Sequence, residues 1–180
     1  MSLYERMKSK ITPDLKKELG LRNAMAVPKI EKVKINVGIG TLAKQIKDFS
    51  EIIENVAKIT GQKPVITKAK IAISNFKLRQ GVPTGITTTL RGKRAYDLVE
   101  RLVAVVLPRV RDFRGLSIKS FDGKGNFSIG FKEAIVFPEI SPDDITNVHG
   151  IQVTIVTTAK NNEEGLALLR KIGFPFKKEL

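Results

Sequence analysis

The chain has 180 residues, with 32 Lys and Arg against 18 Asp and Glu, so its formal net charge is +14 with the single histidine neutral. It has no cysteine and only His149 as an imidazole, which excludes a disulfide framework, a Cys-rich zinc site, a thiol nucleophile and a histidine metal cluster. The longest unbroken apolar run, Leu102 to Leu107, is too short to span a bilayer and the first residues lack a signal peptide's apolar stretch, so the expectation is a cytoplasmic protein that binds a polyanion.

Leu3, Met7, Ile11, Leu15 and Leu19 recur at four-residue spacing, which predicts an amphipathic helix in an N-terminal segment of residues 1–25, interrupted where Thr12-Pro13-Asp14 resembles a new N-cap with proline in the first turn. Gly20 is placed to end it. From Ile30 to Val37 the pattern alternates: Val33, Ile35 and Val37 share one face, Lys32, Lys34 and Asn36 the other, the mark of a half-buried strand. Helical spacing returns through Leu42, Ile46, Phe49, Ile52, Ile53 and Val56 up to Gly61. A short strand follows from Val65 to Thr67, then a basic loop, then a strand from about Val82 to Arg91 with Ile86, Thr88 and Leu90 on one face and Thr87, Thr89 and Arg91 on the other. Leu98, Leu102, Val103 and Val106 mark a helix stopped by Pro108, and residues 109–145 read as an extended loop and hairpin region, with a Gly-rich turn at Asp122-Gly123-Lys124-Gly125 before Phe127, Ile129 and Phe131. A last strand (Ile151, Val153, Ile155) and a last helix (Leu166, Leu169, Ile172) close the chain. Two strands between residues 64 and 91 follow one another without a helix, so the predicted fold is α+β: a single domain, a largely antiparallel sheet, helices packed on one face and an extended basic hairpin loop.

The charge is uneven: residues 1–60 carry net +5, residues 61–120 net +10 and residues 121–180 net −1. If the apolar strand faces pack under the helices, the opposite face gathers Lys32, Lys34, Asn36, Thr87, Thr89, Arg91, Gln152 and Thr154. Cations there can neutralise phosphates, while Asn, Gln and Thr can bond ribose hydroxyls and base edges, a mixture that suits folded RNA; the alternative is an ordinary solvated sheet face. The stretch Lys68 to Gly81 has four basic residues (Lys68, Lys70, Lys77, Arg79), no acidic one and one aromatic, Phe76, beside Asn75; it can track a phosphate backbone and offer a stacking surface, or be only an exposed hairpin. Arg109, Arg111 and Arg114 bracket Asp112, which fits either phosphate contact or an internal Arg-Asp pair. Glu133, Glu139, Asp143 and Asp144 form an acidic group that faces either another partner or water, the two aspartates reading as turn residues. His149 reads as a structural or surface residue.

One motif argues for an enzyme. Gly38-Ile39-Gly40-Thr41-Leu42-Ala43 follows a strand and opens a helix, in the manner of a dinucleotide-binding turn, but the next strand ends Ile66-Thr67-Lys68 where that fingerprint needs an acid. The glycines therefore read as a tight strand-to-helix turn, with no cofactor expected. Peripheral membrane binding is a further alternative, weakened by the absence of tryptophan and of a lipid-anchor motif.

Several blocks, in order, resemble one family. Thr60-Gly61-Gln62-Lys63-Pro64, Thr67-Lys68-Ala69-Lys70, Ser74-Asn75-Phe76-Lys77-Leu78-Arg79-Gln80-Gly81, Thr89-Leu90-Arg91-Gly92, Pro108-Arg109-Val110-Arg111-Asp112-Phe113-Arg114-Gly115, Phe137-Pro138-Glu139-Ile140 and Gly173-Phe174-Pro175-Phe176-Lys177 are similar to bacterial large-subunit ribosomal protein five. The resemblance implies a non-catalytic ribosomal protein that anchors 5S ribosomal RNA in the central protuberance, among large-subunit ribosomal RNA and neighbouring 5S-associated proteins. It implies that Asn36, Gln62 and Thr89 are polar residues of the 5S interface, with Lys32, Lys34 and Arg91 as basic neighbours from the strand reading. The loop Lys68 to Gly81 matches the part that approaches P-site transfer RNA, and the region Arg109 to Asp144, with Glu139, Asp143 and Asp144, the part that reaches small-subunit ribosomal protein thirteen in an intersubunit bridge. Three positions depart from the family's usual residues: Ile71 stands for a basic residue, Pro142 for an aromatic and His149 for an arginine.

Overall fold

The computed structural model describes residues 2–40, 48–76, 78–141 and 147–177. The expectations attached to Lys77, Pro142, Asp143 and Asp144, and to the first part of the helix expected from Leu42, lie outside the described residues. Five strands, β1 (Ile30–Gly38), β2 (Val65–Lys68), β3 (Pro83–Arg91), β4 (Phe127–Phe131) and β5 (Ile151–Thr157), form one antiparallel sheet in the order β2-β3-β1-β5-β4. The predicted α+β fold is the observed one. Contacts group the chain into two compact units, one drawn from residues 2–33, 90–129 and 154–177 and the other from 34–89 and 130–153. The boundaries fall inside strands rather than in linkers, as in a single domain.

In unit one the N-terminal helix runs without a break through residues 3–18, as an α turn Leu3–Arg6, a π turn Met7–Ile11 and an α segment Thr12–Glu18. The interruption expected at Thr12-Pro13 is absent. A stripe repeating every fourth residue drifts by about 40° per step around an α-helix; the wider π turn, in which the Thr12 N–H reaches the Met7 carbonyl, absorbs that drift and tolerates a proline one residue on. Leu3, Met7, Ile11 and Leu15 are accordingly all buried. The helix at residues 93–109 repeats the device with a π turn at Leu102–Val106, so that Pro108 lies within its last turn, at Leu107–Arg109, rather than stopping it. Tyr96 on this helix is buried and donates its hydroxyl to the Ile30 carbonyl at 3.3 Å. The Gly-rich turn is smaller than the predicted hairpin: it closes a single antiparallel pair, Phe121 with Phe127, and Asp122 fastens it by accepting from Lys124 N, Asn126 N and Asn126 Nδ2. Phe121, Phe127, Phe174 and Phe176 pack together next to it, mostly tilted or edge-to-face, with ring centroids 4.8 to 6.5 Å apart. The C-terminal helix, Asn162–Ile172, buries Leu168, Leu169 and Ile172 and ends at Gly173 in the left-handed region.

In unit two the helix Ser50–Thr60 buries Ile52, Val56 and Ile59 and is capped by Gly61 at φ 64°. Ile35 and Val37 of β1, Ile86 of β3 and Val153 of β5 are fully buried, each contributing roughly 1.5–3 kcal/mol of transfer free energy. Ile39, just after β1, donates its N–H to Thr84 on β3 at 3.1 Å. Because β3 lies between β1 and β2, the Gly38-to-Ala43 passage does not join adjacent parallel strands, as a dinucleotide-binding crossover does. His149 is buried, and its Nδ1 lies 3.0 Å from the Asn147 carbonyl, in keeping with a structural role. Among the described residues no helix is long and apolar enough to cross a membrane, and no three His, Asp or Glu side chains group as metal ligands.

Candidate nucleic-acid interface

The alternation read from the sequence holds in the sheet. On β1 the side chains of Val33, Ile35 and Val37 are buried while Lys34 is exposed and Lys32 and Asn36 are half-buried. On β3 Ile86, Thr88 and Leu90 are buried, Thr87 and Thr89 half-buried and Arg91 exposed. On β5 Gln152 is exposed between buried Ile151 and Val153. Unit two therefore presents Lys34, Asn36, Thr87, Thr89 and Gln152 on strands β3, β1 and β5, which are neighbours in the sheet. Lys32 and Arg91 sit on the same strands in the part belonging to unit one, where Lys32 pairs with exposed Glu31 at 3.4 Å.

Hydrogen bonding divides this group further. Thr87 spends its hydroxyl proton on the Ile35 carbonyl at 3.0 Å, and Thr154 and Ser128 share theirs at 3.0 Å. These hydroxyls stitch strands together. The Asn36 amide and the Thr89 hydroxyl have no such partner among the described residues, so both remain able to donate and accept. A half-buried amide without a partner is costly unless water or a ligand supplies one. Gln62 stands outside the sheet, directly after the Gly61 cap: its N–H bonds to Thr60 Oγ1 at 3.2 Å and its carbonyl accepts from the same hydroxyl at 2.9 Å, which fixes the backbone and leaves the side chain exposed.

The basic loop is a structured extension of the β2-β3 hairpin. Ala69 N bonds to Val82 O at 2.9 Å, Gly81 N to Ala69 O at 3.0 Å, and Ile73 and Leu78 exchange a reciprocal pair of backbone bonds at 2.9 and 3.1 Å around a short turn at Ser74–Phe76. Lys68, Lys70, Asn75 and Arg79 are exposed, and Phe76 is 71% exposed at the tip. Val65, Ile71 and Ile73 on the same hairpin also face solvent, so the stretch combines cations with bare apolar surface.

Arg109, Arg111, Asp112 and Arg114 are all exposed in unit one, and Asp112 takes a left-handed backbone, φ 51°. Among the described residues none of these arginines is ion-paired with Asp112, so of the two readings of this segment the internal pair is not the one seen. Glu139 is half-buried in unit two.

Sequence reasoning passed over Thr67 and Gly85. All four residues of β2 are exposed, so the strand has no burial alternation from which to read a face. The hairpin register supplies it: Thr67 pairs with Gly85 and Val65 with Thr87, which puts Thr67 on the polar side.

Residues 23–79 match a family model described as ribosomal protein L5, and residues 83–176 match a second model, which describes the C-terminus of the same ribosomal family. The chain is 53% identical over 177 residues to the large ribosomal subunit protein uL5 of Synechococcus sp. (strain RCC307), covering 98% of this chain and 99% of that protein. It is 51% identical to the proteins of the same name from Natranaerobius thermophilus and Anaeromyxobacter sp. (strain Fw109-5), with 97% of each chain covered.

Proposed function

The chain belongs to the ribosomal protein L5 family, and from that premise we propose that the open sheet face of unit two is its binding surface for 5S ribosomal RNA. It is a structural, RNA-binding constituent of the large ribosomal subunit and acts in translation, in the ribosome of the cytoplasm; it is not an enzyme. The observation that carries the 5S reading is the pair of groups without a hydrogen-bond partner among the described residues, the Asn36 amide and the Thr89 hydroxyl, held on adjacent strands beside exposed Lys34. Lys34, with Lys32 and Arg91, neutralises phosphates; Asn36 and Thr89, with Gln62, bond ribose hydroxyls or base edges.

Two further contacts belong to the same proposal. The stretch Lys68 to Gly81, with Lys68, Lys70, Asn75, Phe76, Lys77 and Arg79 in its sequence, meets P-site transfer RNA; an aromatic ring 71% exposed at the tip is a stacking surface for a base. The segment Arg109 to Arg114 and the acidic residues Glu139, Asp143 and Asp144 meet small-subunit ribosomal protein thirteen, supported by exposed arginines free of internal pairing with Asp112. The direct test is a mobility-shift titration of the purified chain against 5S RNA and against an unrelated folded RNA of equal length. Preferential binding of 5S RNA is expected; equal affinity for both rejects the assignment.

A further inference from the structure

We propose that Thr67 is an additional RNA-recognising residue and that Gly85 is the positioning residue that lets it stand beside Asn36, an inference that rests on the sheet face being the 5S RNA surface. Gly85 lies on β3 between the two strands that carry these side chains, Thr67 on β2 and Asn36 on β1. A Cβ at Gly85 would sit 2.9 Å from Thr67 Oγ1, 3.2 Å from the Val37 carbonyl and 3.8 Å from Asn36 Oδ1. Thr67 and Asn36 thus converge from opposite sides over a strip of backbone that only glycine leaves bare.

The usual reason for glycine does not apply here, since Gly85 is absent from the residues with positive φ. Close approach is the remaining physical reason. The pairing also slips between Thr67 and Lys68, opposite Pro83, which has no N–H to donate. Thr84 takes up the slack by donating its hydroxyl to the Thr67 carbonyl at 3.1 Å, so the Thr67 backbone is fixed at the irregularity. The Thr67 hydroxyl itself has no hydrogen-bond partner among the described residues, and its residue is exposed.

Two unpartnered groups, a hydroxyl and an amide, therefore stand within 4 Å of one point on the face. Each can donate and accept. A ribose 2′-hydroxyl is likewise both donor and acceptor, and it is the group that separates RNA from DNA. The ligand class is thus a ribose of the RNA backbone, with Lys34 beside it for the phosphate.

The test uses the full-length protein and 5S RNA carrying on average about one 2′-deoxy substitution per molecule; bound and free pools are separated and the positions at which substitution weakens binding are mapped. Replacing Thr67 by Val keeps the shape and removes the hydroxyl; losing one hydrogen bond between neutral groups is expected to weaken binding about three- to tenfold. The variant should also lose the interference at one nucleotide while the rest of the map stays unchanged, and Thr67→Ser should restore it. Gly85→Ala should erase the same position, with a thermal melt confirming that the variant is folded. A Thr67→Val map identical to that of the wild type overturns the proposal while leaving the 5S assignment standing. A wild-type chain with no preference for 5S RNA removes both.

Discussion

Neighbouring threonines on one strand do different work. Thr87 and Thr89 have the same side chain and share a face, yet Thr87 is committed to the Ile35 carbonyl, whereas the Thr89 hydroxyl has no hydrogen-bond partner among the described residues. Replacing exposed Lys34 by Ala should flatten the salt dependence of 5S RNA binding by somewhat under one unit in the log–log slope, whereas Asn36→Ala should weaken binding with little change in slope, both read from affinity at several salt concentrations. Asp122 yields a prediction of another kind. The hydrogen bond from the Asn126 side chain, aided by the Lys124 and Asn126 N–H groups, holds its carboxyl below the ordinary carboxylate range. A depressed carboxyl adds stability above its unfolded pKa, about 3.9, and loses it as pH falls through the folded value. The melting-temperature gap between wild type and Asp122→Ala should therefore be full at pH 7 and shrink below about pH 4. At this scale the sequence revealed which residues share a face, because alternation is written in residue type. It did not reveal which hydroxyls are spent on backbone carbonyls, because that depends on the register between strands.

Among the elements, the β2-β3 hairpin holds its tip by backbone bonds between Ile73 and Leu78 while its side chains stay outward. Phe76→Ala should leave the melting temperature nearly unchanged, because the residue is 71% exposed, and should weaken association with P-site transfer RNA by about 1–3 kcal/mol, the usual cost of one lost base–aromatic stack. Measuring both on the same variant separates contact from folding. Gly115 supplies the opposite case. At φ 95° and with Lys177 N 3.1 Å from where a Cβ would lie, Gly115→Ala should destabilise unit one by about 1–3 kcal/mol in denaturant titration, through backbone strain and through the Leu116–Phe176 pairing next to it. Strands β1, β3 and β5 were legible from alternation and the helices from their apolar stripes. The π turns were not: shifting a hydrogen bond by one residue leaves no mark in composition, and each proline near them was read as a break.

For the molecule as a whole, the +14 charge resolves into a middle third of +10 that contains β2, the basic hairpin and β3, and a last third of −1 that is free of that bias. If about six phosphates are neutralised, log affinity for 5S RNA should fall against log salt with a slope of roughly −4 to −5, and a salt-independent affinity would refute the electrostatic part. The same middle third ends the sheet on one side. As the outermost strand among the described residues, β2 has one row of backbone N–H and C=O groups without a strand partner there, and its own Val65 and Ile66 are 64% and 37% exposed. An open apolar edge is a template on which a second copy of the chain can pair, and here the guard against that is charge repulsion from Lys63, Lys68 and Lys70. Salt or any anion that neutralises those lysines without covering the edge removes the guard. The free chain is therefore expected to self-associate increasingly as salt rises, which light scattering across a salt series checks.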